Sequence, residues 1–163
     1  MTGLAHQIIS GIASGSIYAA VALALVMIYQ STHHINFAQG EMATLSTYLC
    51  LTMINAGFSY WGAFLIAVAL SFVMGVATER ILMRPMMNAP PLSVVGVFIG
   101  LLLVINAFDG WVWDYTIKSF PSPFGGSNAV LGGFISPHEL GETAVTLLVL
   151  FAVYLFFRHT TLG

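Results

Sequence analysis

Charge is what this sequence has least of. Asp, Glu, Lys and Arg make up 6% of its 163 residues, against about 25% in an average soluble domain. A surface so poor in charge cannot be hydrated, so a water-facing globular fold is excluded. The four Lys and Arg residues are too few for a phosphate-binding patch, which excludes nucleic acid as a partner. The lone cysteine, Cys50, excludes an intrachain disulfide and a cysteine-based metal framework. No Lys or Arg precedes Arg80, so the positive n-region of a secretory leader is missing and the first apolar run is expected to be a retained span. No Walker motif is present, so the chain does not bind ATP through one. What remains is apolar: 58% hydrophobic residues and a mean hydropathy of +0.93. The solvent is lipid.

A spanning helix takes about 20 mostly apolar residues, and irregular backbone cannot face lipid. The fold class expected is therefore all-α integral membrane, with about five transmembrane helices. They are placed at residues 9–29, 41–56, 61–83, 92–108 and 143–157 of a single transmembrane domain. An external loop is expected at residues 109–141, which hold Pro121, Pro123 and Pro137. Trp111, Trp113 and Tyr115 open that loop and are expected at headgroup level. Orientation follows from Lys and Arg, which favour the cytoplasmic side. Five spans put Arg80, Arg84 and Arg158 on one side together, so the N-terminus is expected outside and the C-terminus inside. Pro85 is expected to stop the third span, with Pro90 and Pro91 opening the next.

Within this apolar chain the polar groups gather at "HINFAQGEMATL", residues 34–45. Glu41 is the only charged side chain in the first 78 residues. At the cytoplasmic end of the first two spans it would sit near a helix N-terminus, whose partial positive charge favours a carboxylate. Asn36 would cap or turn the chain, and Gly40 would supply a conformation closed to other residues. Asn36, Gly40 and Glu41 are thus read as a structural turn. The plainer alternative is an interfacial turn with no special role. Gly11 and Gly15 have the small-xxx-small spacing that lets membrane helices approach closely, and Ser14 and Ser16 extend that face. The alternative is incidental glycine. Adjacent His33 and His34 point about 100° apart on a helix, which suits a polar turn better than a metal site. Glu79 is expected to pair with Arg84 or with a partner at the interface. No catalytic constellation is visible, and none of these groups suggests an enzyme.

The run "GSIYAAVALALVMIYQSTHHINFAQGEMATLSTYL", residues 15–49, resembles the membrane permease subunits of bacterial ABC importers for branched-chain amino acids. Its distinctive parts are residues 15–19 and "INFAQGE", residues 35–41. "ERILMRPM" at 79–86 and "RHTTLG" at 158–163 resemble later parts of the same family in the same order. The resemblance implies a multi-pass protein of the bacterial inner membrane. It implies a second homologous permease subunit, two cytoplasmic ATPase subunits that hydrolyse the ATP, and a periplasmic amino-acid-binding protein. Arg80, Arg84 and Arg158 would form the cytoplasmic face toward the ATPases. Ser14, Ser16, Tyr18, Asn36 and Gln39 are the candidates for the substrate path. No cofactor is expected in this chain. Members of the family are roughly twice this length and continue past the "RHTTLG" position into a coupling loop, so truncation before that loop is expected. The competing reading is a non-transporting membrane scaffold or an inactive remnant.

Overall fold

The computed structural model describes residues 2–124 and 137–159. They divide into two compact units, 28–120 and the pair of segments 1–27 and 121–163. Helix α1 (Thr2–Thr32) is followed by α2 (Gln39–Asn55) and α3 (Tyr60–Thr78). A π-helical turn (Glu79–Met83) joins α3 to a short α4 (Arg84–Met86), and α5 (Pro91–Trp113) and α6 (Pro137–His159) complete the order. Among the described residues the regular structure is all helical. Among the described residues three helical stretches are long and apolar enough to cross a membrane, Ser10–Thr32, Tyr60–Met86 and Pro91–Trp113, and Leu140–Phe156 is a shorter apolar helix.

The packing of residues 28–120 is inverted relative to a soluble core. Its buried side chains include the small Ala38, Cys50, Ala63 and Ala67 beside Leu51, Val94 and Phe98. Its exposed ones include Leu65, Phe72, Val73, Leu103 and Val104. Large apolar groups outward and small ones between helices is the arrangement lipid demands, since small residues let backbones come close. Ala63 and Ala67 of α3 close on Cys50, with Met53 and Ile54 beside them. Cys50 is therefore a packed small side chain. One turn earlier on α2, Ser46 meets Ser71 of α3, with 2.7 Å between their hydroxyl oxygens. Each hydroxyl has one proton and also faces a carbonyl of its own helix, Met42 for Ser46 and Ala67 for Ser71, so one of the two donates across the contact and the other back to its helix.

The other flank of α2 meets α5. The Trp113 indole N–H donates to Thr52 Oγ1 at 2.8 Å. Its rings stack on Tyr48 at 5.2 Å with an interplanar angle of 8°. Trp113 thus belongs to α5 and turns inward, although the sequence suggested an interfacial anchor past the helix. Trp111 and Tyr115 are exposed. The helix runs on because Gly110, Trp111 and Val112 after Asp109 continue its apolar pattern, and it stops at Asp114, where φ is 63°.

Two further ends have clear local causes. Gly57, with φ of 94°, follows α2 and donates its N–H to the carbonyl of Ile54. An L side chain there costs about 1–2 kcal/mol. Gly57→Ala should lower the melting temperature of the detergent-solubilised protein by several degrees; an unchanged transition would show that this cap contributes nothing. At the end of α3, Pro85 does not stop the helix as expected. Proline cannot donate to the fourth carbonyl back and its ring crowds that group. The π turn widens the helix just before it, the Arg84 N–H reaching back to Glu79 O. The Glu79 carboxylate and Arg84 Nε are 3.4 Å apart on an exposed face, a pair worth about 0–1 kcal/mol.

In the unit of 1–27 and 121–163, the Ser122 hydroxyl lies 3.0 Å from His138 Nδ1. The Phe124 ring lies over Gly141, where a Cβ would collide with it.

Candidate functional site

The site is built from the turn between α1 and α2 and from the α2 flank that meets α5. α1 ends at His33, whose φ of 55° takes the chain out of the helix. The His33 N–H still reaches the Tyr29 carbonyl at 2.7 Å. Asn36 then redirects the backbone. Its Oδ1 accepts from the Ala38 N–H at 3.0 Å, the local turn that Asn side chains favour. Asn36 is buried and Ala38 has no exposed surface. The Gln39 N–H bonds the Asn36 carbonyl and the Met42 N–H bonds that of Ala38, which starts α2. Gly40 lies in that first helical turn and does not have the positive φ expected of it. The left-handed step is taken seven residues earlier by His33, so the glycine has no such task.

The offset of α2 against α5 follows from the Trp113–Thr52 bond. α2 begins 13 residues before Thr52, and α5 begins 22 residues before Trp113. At 1.5 Å per residue the start of α2 is level with a point about 14 Å along α5. The turn before α2 reaches back to the first turn of α5, where Pro91, Val94 and Val95 line a cavity of about 230 Å³ with His33, His34, Ile35 and Phe37. Glu41, in the first turn of α2, is therefore alongside the body of α5.

Further along the same flank is Asp109, 5% exposed, with neither carboxylate oxygen hydrogen-bonded. Gln39 Oε1 and His34 Nδ1 are also buried without partners. On the adjoining face of α2, Ala43, Thr44, Thr47, Tyr48 and Leu51 line a cavity of about 330 Å³ with Lys118 and Phe120. Thr44 and Thr47 donate their hydroxyls to carbonyls one turn back, so their oxygens keep free lone pairs. Among the described residues no three His, Cys, Asp or Glu side chains come together as metal ligands do.

The residues singled out in the sequence scatter over several places. Asn36, Gln39 and Glu41 come together at the start of α2. Ser16 is buried on α1 and donates to the Ala13 carbonyl at 2.6 Å. Ser14 and Tyr18 are exposed on the same helix. A Cβ at Gly11 or Gly15 would meet nothing within 4 Å, so that face is open. Arg80 is exposed on the π turn, and Arg158 donates to Tyr154 Oη on α6. Sequence reasoning did not find Asp109, Lys118 or the Tyr48–Trp113–Thr52 junction. The signal for Asp109 was an apolar run that resumes on both sides of one carboxylate.

Residues 7–163 match the family described as branched-chain amino acid transport system / permease component. The chain belongs to that family. Its relatives include the high-affinity branched-chain amino acid transport system permease protein LivH of Salmonella typhimurium, 25% identical over 172 residues. The LivH protein of Escherichia coli K12 is 26% identical over 172 residues, and BraD of Pseudomonas aeruginosa, with the same descriptive name, 26% over 176. In each case the match covers 97% of this chain and 56% of the relative, so the chain spans just over half the length of the curated relatives it matches. No solved structure matches it. The family and the apolar helices together make it a multi-pass protein of the bacterial inner membrane.

Proposed function

We propose that the chain is a membrane-spanning permease subunit of an ABC importer for branched-chain or related amino acids and forms part of the translocation path. The observation that carries this is the family match over residues 7–163. The cavity beside α2 supports it. Lys118 offers a cation for a carboxylate, the Thr44 and Thr47 oxygens can accept from an ammonium, and Leu51 and Phe120 give an apolar wall. That lining suits a small zwitterion with an apolar side chain.

The chain itself has no catalytic task in this reading. Two cytoplasmic ATPase subunits hydrolyse ATP against a face that includes Arg80, Arg84 and Arg158. A second permease subunit packs beside it, and the open face at Gly11 and Gly15 allows close approach of a helix. A periplasmic binding protein delivers the amino acid from the side opposite the arginines, with the N-terminus outside. Asn36 and Gln39 border the path at the buried turn, and Ser14, Ser16 and Tyr18 are its candidates on α1.

The test is uptake of labelled leucine, isoleucine and valine by cells of the native organism lacking the chain, then with it restored. Uptake should fall on removal and return on restoration, with amides and urea as competitors to define the substrate class. Equal uptake with and without the chain would reject the reading.

A further inference from the structure

Residues 115–120 pose a problem for a chain in lipid. They form neither helix nor strand, and their backbone N–H groups bond nothing among the described residues. Irregular backbone is tolerated at membrane depth only inside protein or against water. Yet the cavity this segment lines reaches such depth. α5 has 23 residues, about 34 Å at 1.5 Å each, so it just crosses a hydrocarbon core of about 30 Å and ends near headgroup level at Trp113. Thr52 shares that level through its bond to Trp113. α2 and α5 run the same way, since the turn before α2 meets the first turn of α5. Thr44 therefore lies about 12 Å deeper than Thr52, and it shares one cavity with Lys118 and Phe120. The wall there is polar, with Thr44 and Thr47 both exposed. At the same level, marked by the Ser46–Ser71 bond, α3 exposes Phe72 and Val73 instead. Lys118, the only lysine in the chain, has no ion-pair partner among the described residues. A cation at membrane depth needs water or a countercharge.

We propose that this flank of α2 is the wall of a water-filled passage, open at the Trp113 end and reaching at least to Thr44, with residues 115–120 standing in it and Lys118 as its fixed positive charge. This rests on the transport reading above and says along which face of the chain the solute moves. Water answers three needs together. It pairs the bare N–H groups of 115–120, hydrates the Lys118 ammonium, and meets the free lone pairs of Thr44 and Thr47. Lipid answers none of them. A neighbouring subunit packed into the cavity would leave Lys118 dry and without a countercharge on this chain. A single positive charge between low-dielectric walls also raises the local concentration of anions, so the passage favours the carboxylate end of a solute.

The test reads water at the wall directly, in native membranes and without uptake. The full chain carries Cys50→Ala and one new cysteine, Ala43→Cys, Thr44→Cys or Thr47→Cys. Phe72→Cys and Val73→Cys are the lipid-facing controls at matched depth. Membrane vesicles of both orientations are treated with membrane-impermeant methanethiosulfonates, one negatively and one positively charged, and the mass shift of the chain gives the rate. A thiol reacts as its thiolate, which forms in water and not in hydrocarbon. The cavity positions should react at least about tenfold faster than the controls. The negative reagent should outrun the positive one several-fold, and Lys118→Gln should abolish that preference. Equal rates at cavity and control positions overturn the proposal and leave the transport reading intact. So does reaction that appears only after detergent extraction, which would mark the flank as packed against another subunit. A charge preference that survives Lys118→Gln overturns the part given to Lys118. Fast labelling in a chain on which no amino-acid uptake depends would keep the passage and reject the transport reading. Where one cysteine variant fails to reach the membrane, the other two decide.

Discussion

Asn36→Ala is expected to lower the amount of folded protein in the membrane several-fold and to lower uptake with it. The substitution deletes the acceptor of the Ala38 N–H at a place where Ala38 has no exposed surface. A buried donor left unmatched costs about 1–3 kcal/mol, and lipid supplies nothing to replace the lost oxygen. The damage would spread, because this bond sets where α2 begins and so where Glu41 and Gln39 stand. Asn36→Asp keeps an acceptor at the same position and should recover part of the level. Asn106→Ala, on an exposed position of α5, should change nothing. Quantitative immunoblots of membrane fractions and uptake in the same cells measure all three. Wild-type levels and uptake in Asn36→Ala would show that the turn is a plain connection.

Ala63→Leu should be comparably severe. Ala63 is fully buried against Cys50 where α2 and α3 meet. Added methylenes in a filled contact cost about 1–3 kcal/mol, and here the strain falls on two helices that also share the Ser46–Ser71 bond. The larger side chain would push α2 away from α3 and disturb its register with α5. Ala69→Leu places the same side chain at an exposed position of α3, where lipid accommodates it. Thermal unfolding in detergent should separate the two, with a clear loss for Ala63→Leu and a wild-type transition for Ala69→Leu. Equal transitions would mean that the α2–α3 contact is loose.

Legibility from sequence differs from one helix to the next. The all-helical membrane character was legible from charge alone, since a chain with 6% charged residues has no soluble surface to offer. The small residues that would pack could not be told from the small residues that would not. Ala63 and Ala67 sit in a contact, whereas Gly11 and Gly15 have open space around them. Composition is the same in both cases, and only the neighbouring helix decides. The sequence gathers its polar groups at residues 34–45, but it does not show which of them turns the chain. Asn36 Oδ1 accepts from the Ala38 N–H, while Gly40 is helical and the left-handed residue is His33, a choice that depends on where α1 runs out. Depth was the least legible quantity. Hydropathy ranks a segment as apolar without saying how far along its neighbour it lies. The offset of α2 against α5 emerges only from the long-range bond between Trp113 and Thr52. For the same reason Asp109 read as the start of a loop, when it is a buried carboxylate on the flank of α5 that meets α2.

The most direct test of the transport role is to tag the chain in its native organism and purify it from gently solubilised membranes, with intact masses of every component. An importer subunit emerges with a second permease of the same family and with ATPase subunits, and uptake of branched-chain amino acids depends on it. Recovery without any ATPase, from cells whose uptake is indifferent to the chain, would contradict that role and leave a membrane protein that assembles but does not transport.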